Sequence, residues 1–338
     1  MLGVLVVFAI TFTLRSLAKQ ITAPLDEKPV PIPSDSGQSM VAAGSNWGAS
    51  ASAYDVKIRV IANYIFVRAS LLTAGQARVP AWFLLDSGTT TCLLTEDYAG
   101  QAGLKATGYT DLTSTAVFRV GTARVDGFVL QVNGTGDALQ TAPQNITIVD
   151  DDSVIQSIVG GQTIINENYG GILGVPFFQE FNLLIDYNRE RLLATRGPLG
   201  AIATPIEEVP LSFINTGSAK PHVTVPVSLN GTPAGQWILD LGSDSSLITQ
   251  AQAKRFNLRP GPPYRQLSLL DGSITSSSAT VTVSLGPHLS RKQLVIDIPN
   301  APIQALKGFG GDLATDYLRL LGCFGLSFSE SKLYLFGN

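Results

Sequence analysis

Two short stretches constrain this chain more than anything else in it. Trp82-Phe83-Leu84-Leu85-Asp86-Ser87-Gly88-Thr89 and Gln236-Trp237-Ile238-Leu239-Asp240-Leu241-Gly242-Ser243 share one plan, an apolar run ending in Asp-x-Gly-Ser/Thr. A short run of aliphatic and aromatic residues predicts a buried strand. A carboxylate is expensive to hide at the end of such a strand, and a glycine two residues on lets the backbone turn sharply. The pattern therefore presents an acid rather than filling a core. Two copies predict a pair.

The surroundings repeat as well. Leu93-Leu94-Thr95 and Leu247-Ile248-Thr249 follow Asp86 and Asp240 at the same distance, and each opens a short helical candidate, Thr95 to Leu104 and Thr249 to Leu258. Further on, Gly171-Ile172-Leu173-Gly174 precedes Val175-Pro176-Phe177-Phe178, Leu184-Ile185-Asp186-Tyr187 and Leu192-Leu193. Gly311-Asp312-Leu313-Ala314 precedes Thr315-Asp316-Tyr317-Leu318, Leu326-Ser327-Phe328 and Leu333-Tyr334-Leu335. Repeated order of this kind marks an internal duplication. Between the copies, Gly197 to Pro210 interrupts the apolar pattern with prolines, glycine and two glutamates, which sets the expected units at 54–200 and 201–338. Within each unit, β-branched and aromatic segments are broken by Gly, Asn, Asp and Pro: Val56 to Val67, Val79 to Leu85, Val117 to Val120, Gly127 to Val132 and Ile146 to Val149. The expected fold is mainly β with few helices.

Composition narrows the chemistry. With 338 residues, 45% hydrophobic and 14% charged, the chain can bury two ordinary cores. A net charge of −3 and no run of lysine or arginine leave no footprint for nucleic acid or anionic lipid. Cys92 and Cys323 lack CxxC spacing and are expected as free buried thiols. The only histidines are His222 and His288, expected at the surface or at strand ends. A zinc site or a Cys/His nucleophile lacks its parts, and no Gly-x-Ser-x-Gly marks a serine hydrolase. Catalysis would rest on carboxylates and hydroxyls, without metal or cofactor.

Leu2 to Leu14 is apolar and short for a membrane span, and Ser16-Leu17-Ala18 fits a small-x-small cleavage site. Residues 1–18 read as a signal peptide, with an uncleaved N-terminal anchor as the alternative; either implies an exported chain, secreted or periplasmic. Residues 19–53, rich in Pro, Gly and Ser, read as a lead or linker. Asn133-Gly134-Thr135, Asn145-Ile146-Thr147 and Asn230-Gly231-Thr232 match the glycosylation triplet, and the two Asn-Gly pairs are read as hairpin turns.

From Tyr54 to the end, the chain resembles the aspartic proteases: Leu-Leu-Asp-Ser-Gly-Thr at 84–89, Ile-Leu-Asp-Leu-Gly-Ser at 238–243, and Ile172-Leu173-Gly174. The resemblance is to two fused retropepsin-like or pepsin-like lobes, each a β-barrel-like unit. It implies that Asp86 and Asp240 meet at the lobe interface of a monomer and activate water to cleave a peptide or protein substrate. Gly88 and Gly242 would allow close approach, and Thr89 and Ser243 would hydrogen-bond the outer carboxylate oxygens. Ser87 fits the family position whose hydroxyl bonds across to the opposite loop; Leu241 departs from it. Val120-Gly121-Thr122 and Asp271-Gly272-Ser273 stand where the family carries hairpins over the cleft, with Gly121-Thr122 expected near a tip; ordinary exposed hairpins are the alternative. The competing reading is a non-catalytic peptide-binding or structural protein that keeps the bilobal fold, with the dyad impaired by Leu241.

Overall fold

A computed structural model describes residues 53–336 apart from 62, 75, 78, 112–118, 134–138, 150–167, 216–220, 270–271, 287–290 and 304–305. The segments read as signal peptide and lead, except Ala53, lie outside the described residues, as do Asp271, His288 and the Gly134-Thr135 part of the first Asn-Gly triplet. Among the described residues no helix is long and apolar enough to cross a membrane.

The fold is mainly β. An eleven-stranded sheet occupies the first half, an eight-stranded sheet the second, and a six-stranded sheet joins them. The apolar runs before the aspartates are the strands Ala81–Leu85 and Thr232–Leu239, and all of Ala81–Leu85 is buried. Burial on both faces of Ala81–Leu85, and of Trp237, Ile238 and Leu239 at the end of the second strand, explains why these stretches read as continuous apolar runs rather than alternating ones.

Each half repeats one core arrangement. Ala81–Leu85 runs parallel to Tyr169–Leu173, with Leu84 beside Ile172 and Leu85 beside Leu173. Tyr169–Leu173 in turn runs antiparallel to Leu93–Thr95. In the second half Thr232–Leu239 runs parallel to Gly311–Leu313, with Ile238 beside Asp312 and Leu239 beside Leu313, and Leu247–Ile248 flanks Gly311–Leu313 antiparallel. An aromatic ring three residues before each aspartate packs where only glycine fits. A Cβ at Gly170 would overlap Phe83, and one at Gly311 would stand 2.7 Å from the Trp237 ring.

The short helices begin where the sequence places them. Thr95 and Thr249 cap Glu96–Gln101 and Gln250–Arg255, their hydroxyls accepting from the N–H of Tyr98 and Gln252. Asn230 and Gly231, with φ of 49° and 81°, form a tight turn between His222–Leu229 and Thr232–Leu239. The expected single run Val56 to Val67 is instead divided among three strands: Val56 ends Ala53–Val56, and Ile58–Ile61 pairs with Tyr64–Thr73. Asn63, at φ 78°, turns the chain between them.

The joining sheet orders Ala53–Val56, Arg191–Thr195, Asn182–Asp186, Cys323–Ser327, Lys332–Leu335 and Glu207–Pro210. Its central pairing crosses the duplication, with Leu183 opposite Leu326, Ile185 opposite Phe324 and Asp186 opposite Cys323. Cys92 and Cys323 are free and buried, and burial pushes both thiols up to about 12.

Candidate active site

The two aspartates stand just beyond the ends of their strands, each pinned by its own backbone. Asp86 N–H donates to Leu173 O (3.0 Å) and Asp240 N–H to Leu313 O (2.9 Å). Each half thereby uses its parallel partner strand to locate its carboxylate. Both aspartates are 3% exposed and their side chains hydrogen-bond each other across the duplication.

The glycines explain how the loops come so close. A Cβ on Gly88 would stand 2.5 Å from Asp240 Cγ, and one on Gly242 would overlap the Asp86 carboxylate. Each glycine thus makes room for the opposite acid.

Hydrogen bonding around the pair is unequal. Asp86 Oδ1 accepts from the N–H of Gly88 and of Thr89 (both 2.9 Å), and its Oδ2 accepts from Thr89 Oγ1 (2.5 Å). Asp240 Oδ1 accepts from Gly242 N–H (2.7 Å). Ser243 does not mirror Thr89. Its hydroxyl donates to Ser245 O, while its carbonyl accepts from Thr315 N–H (3.0 Å) and Oγ1 (2.6 Å), so it closes its own loop instead of holding a carboxylate.

Burial raises Asp86 above the ordinary carboxylate range, while bonds from Thr89, the bond with Asp240 and the Gly88 N–H act in the opposite direction. Asp240 is pushed well above that range, first by burial, then by the charges of Asp312 and Asp86. A pair this close shares one proton. Three donors on Asp86 against one on Asp240 favour the charge on Asp86 and the shared proton on Asp240.

The Leu241 departure costs less than the resemblance implies. Ser87 Oγ donates to Leu239 O (2.6 Å) and accepts from Leu241 N–H (3.1 Å). Ser87 is therefore buried and satisfied, and one cross-loop clasp is present. Leu241 itself is fully buried in the main apolar core.

Val120, Gly121 and Thr122 are not at a hairpin tip. They lie within Arg119–Val125, paired on one side with Thr107–Asp111 and on the other with Gln144–Val149. The strand pairing continues past Gly121 to Arg119 opposite Asp111, so Gly121 and Thr122 lie inside the ladder; residues 112–118 are outside the described residues. In the second half Gly272 and Ser273 pair with Leu269 and Ser268; residues 270–271 are outside the described residues. Val120 packs with Leu84, Leu93 and Ile172; Ile274 packs with Ile238, Leu247 and Phe309.

Four buried or part-buried polar residues, His222, Asp297, Asp312 and Asp316, carry no motif. His222 is a strand-start residue, as expected, but is 2% exposed rather than on the surface. It packs edge-on against Phe309, its Nδ1 has no hydrogen-bond partner, and burial lowers its pKa while the Gly88 backbone acts in the opposite direction. Asp316 accepts from Ser246 N–H (3.0 Å) and Oγ (2.6 Å), and Asp297 accepts from Ser245 Oγ (2.7 Å). Asp312 is fully buried and neither of its side-chain oxygens has a partner. Alignment of the two halves carries a signal for Asp312, which stands where the first half has Ile172. No comparable signal marks His222. Among the described residues no cluster of His, Cys, Asp and Glu forms a metal site.

An aspartyl protease family model matches residues 225–310, the segment that contains Asp240. No curated protein sequence matches significantly. Solved structures similar to the chain include basic 7S globulin from soybean (10% identity, TM-score 0.47, covering 84% of this chain and 94% of that one). Conglutin gamma, a basic 7S globulin from lupine seeds, has 10% identity and a TM-score of 0.45, covering 85% and 95%. The aspartic proteinase from Irpex lacteus has 11% identity and a TM-score of 0.46, covering 84% and 97%. With two duplicated halves, each presenting one Asp-x-Gly loop, and with that family match, the chain has an aspartic-protease-like fold.

Proposed function

We propose that the chain is an aspartic endopeptidase in which Asp86 and Asp240 activate a water molecule against a peptide bond. The observation that carries this reading is the buried, mutually hydrogen-bonded pair with its uneven support. Asp86, stabilised as an anion by three donors, removes a proton from the water as its oxygen bonds to the carbonyl carbon. Asp240 gives its proton to the carbonyl oxygen, and a gem-diol forms. Collapse of the gem-diol breaks the C–N bond. The leaving nitrogen takes the proton held by Asp86, and a gem-diol hydroxyl returns its proton to Asp240. Atoms and protons balance with no covalent enzyme intermediate. Extended peptides would lie beneath the two hairpins and add main-chain hydrogen bonds there. Export through the 1–18 segment and action as a monomer belong to the same reading.

The test is cleavage of a mixed peptide set by the purified chain from acid to neutral pH. Asp86→Asn and Asp240→Asn are each expected to lower kcat by at least about 10³-fold with little change in melting temperature. Cleavage undiminished in either variant rejects the dyad.

A further inference from the structure

Asp312 has no role in the mechanism above, yet it is the most anomalous side chain beside the pair. It is the middle residue of Gly311–Leu313, and the next residue, Leu313, supplies the carbonyl that holds Asp240. Register places it between Ile238 on one side and Leu247 on the other. Residues aligned across neighbouring strands project from the same face of a sheet. That face is the apolar cluster of Ile238, Leu247, Ile303, Leu306 and Phe309, with Ile274 of the second hairpin packed against it. A carboxyl therefore projects among aliphatic and aromatic groups with both oxygens idle.

The first half shows what this position needs for packing alone. Ile172, register-aligned with Leu84 and Leu93, completes the matching apolar cluster beneath the first hairpin. An aliphatic side chain suffices there. A buried carboxyl without partners is destabilising, and such groups concentrate where a ligand supplies the missing partner.

We propose that Asp312 is a specificity-determining residue that receives a lysine or arginine side chain of the peptide at one position flanking the scissile bond. The Ile172 face of the first half takes an apolar side chain instead. This rests on the peptide-binding part of the endopeptidase reading. The ammonium or guanidinium group donates to both idle oxygens, and its methylene stem lies along Ile238 and Phe309. An acidic side chain at that position is rejected by Asp312, Asp316 and the charged member of the pair. Burial, then the charges of Asp316 and Asp86, push Asp312 well above its ordinary range; an incoming cation offsets each of these effects.

The full chain carrying Asp86→Asn, immobilised and exposed to randomised octapeptides, reads binding separately from turnover. Sequencing of the eluted peptides is expected to show Lys and Arg enriched about tenfold over Leu and norleucine at one position, equivalent to ~1.4 kcal/mol. Adding Asp312→Ile, the residue type of the first half, is expected to replace that enrichment with Leu, Ile and Phe and to raise the melting temperature. Asp312→Asn keeps shape and folding and is expected to reduce the enrichment. Absence of a basic preference, its persistence in Asp312→Ile, or no retained peptide overturns the proposal. Cleavage by the unsubstituted chain without a basic preference rejects the role of Asp312 and leaves the dyad standing. Selective binding without cleavage rejects the dyad and leaves Asp312.

Discussion

At the scale of single residues, the site is governed by which buried polar groups find partners. Asp86 has three donors besides Asp240, Ser87 has both a donor and an acceptor, and Asp312 has neither. Leu241 is best understood in the same terms. A threonine there would add a hydroxyl beside the loop but remove part of a fully buried aliphatic side chain. The cross-loop bond through Ser87 already exists, so the lost packing outweighs the added bond. Leu241→Thr is expected to destabilise the chain by ~1–2 kcal/mol in urea unfolding without raising kcat. A gain in both would show that the clasp was incomplete. The dyad, Gly88, Gly242 and Thr89 were all legible from the Asp-x-Gly-Ser/Thr pattern. The behaviour of Ser243 was not, because its hydroxyl turns to Ser245 and its carbonyl to Thr315, a contact made by a segment far along the chain.

At the scale of elements, the positioning device is a strand bearing the aspartate, a parallel partner that receives its N–H, and an antiparallel strand on the far side. Both halves build it from the same register, so the carboxylates arrive at equivalent places. What brings those places together is the pairing of Asn182–Asp186 with Cys323–Ser327 in the joining sheet. Phe324, fully buried and opposite Ile185, is central to it. Phe324→Ala is expected to cost ~3–4 kcal/mol, and activity is expected to fall further than the folded fraction does, since a loosened joining sheet lets the carboxylates separate. Urea unfolding with parallel kcat measurements checks this; equal losses would show that the joining sheet does not set the dyad. Strand identity and the threonine caps were readable locally. Gly121-Thr122 has turn-like composition, yet pairing on both edges holds it extended, which local composition does not record.

At the scale of the whole molecule, buried acids with raised pKa gather from both halves, one from the first and three from the second. Asp240 and Asp312 are pushed well above the ordinary range and Asp86 and Asp316 above it, in each case chiefly by burial. A carboxyl whose folded pKa is raised contributes stability that is fully present below its unfolded value, near 3.8, and lost as pH rises through the folded value. The chain is therefore expected to melt at a higher temperature near pH 4 than near pH 7. Asp312→Ile should shrink that difference by removing one of the contributing groups. Thermal unfolding across pH decides it, and a melting temperature that rises from pH 4 to pH 7 would contradict the assignment of these groups as buried acids.

By itself, the sequence determined the duplication, the β architecture and the identity of the paired acids, because each is written in short-range pattern: apolar runs, glycine turns and a repeated order of segments. Only the tertiary structure decided how unequally the two acids are hydrogen-bonded, whether Leu241 breaks the clasp, and that Asp312 is left without a partner. Those outcomes depend on burial and on hydrogen bonds between segments far apart in the chain. Local pattern carries no record of either, so the Asp86/Asp240 pair acquires its asymmetry from the fold.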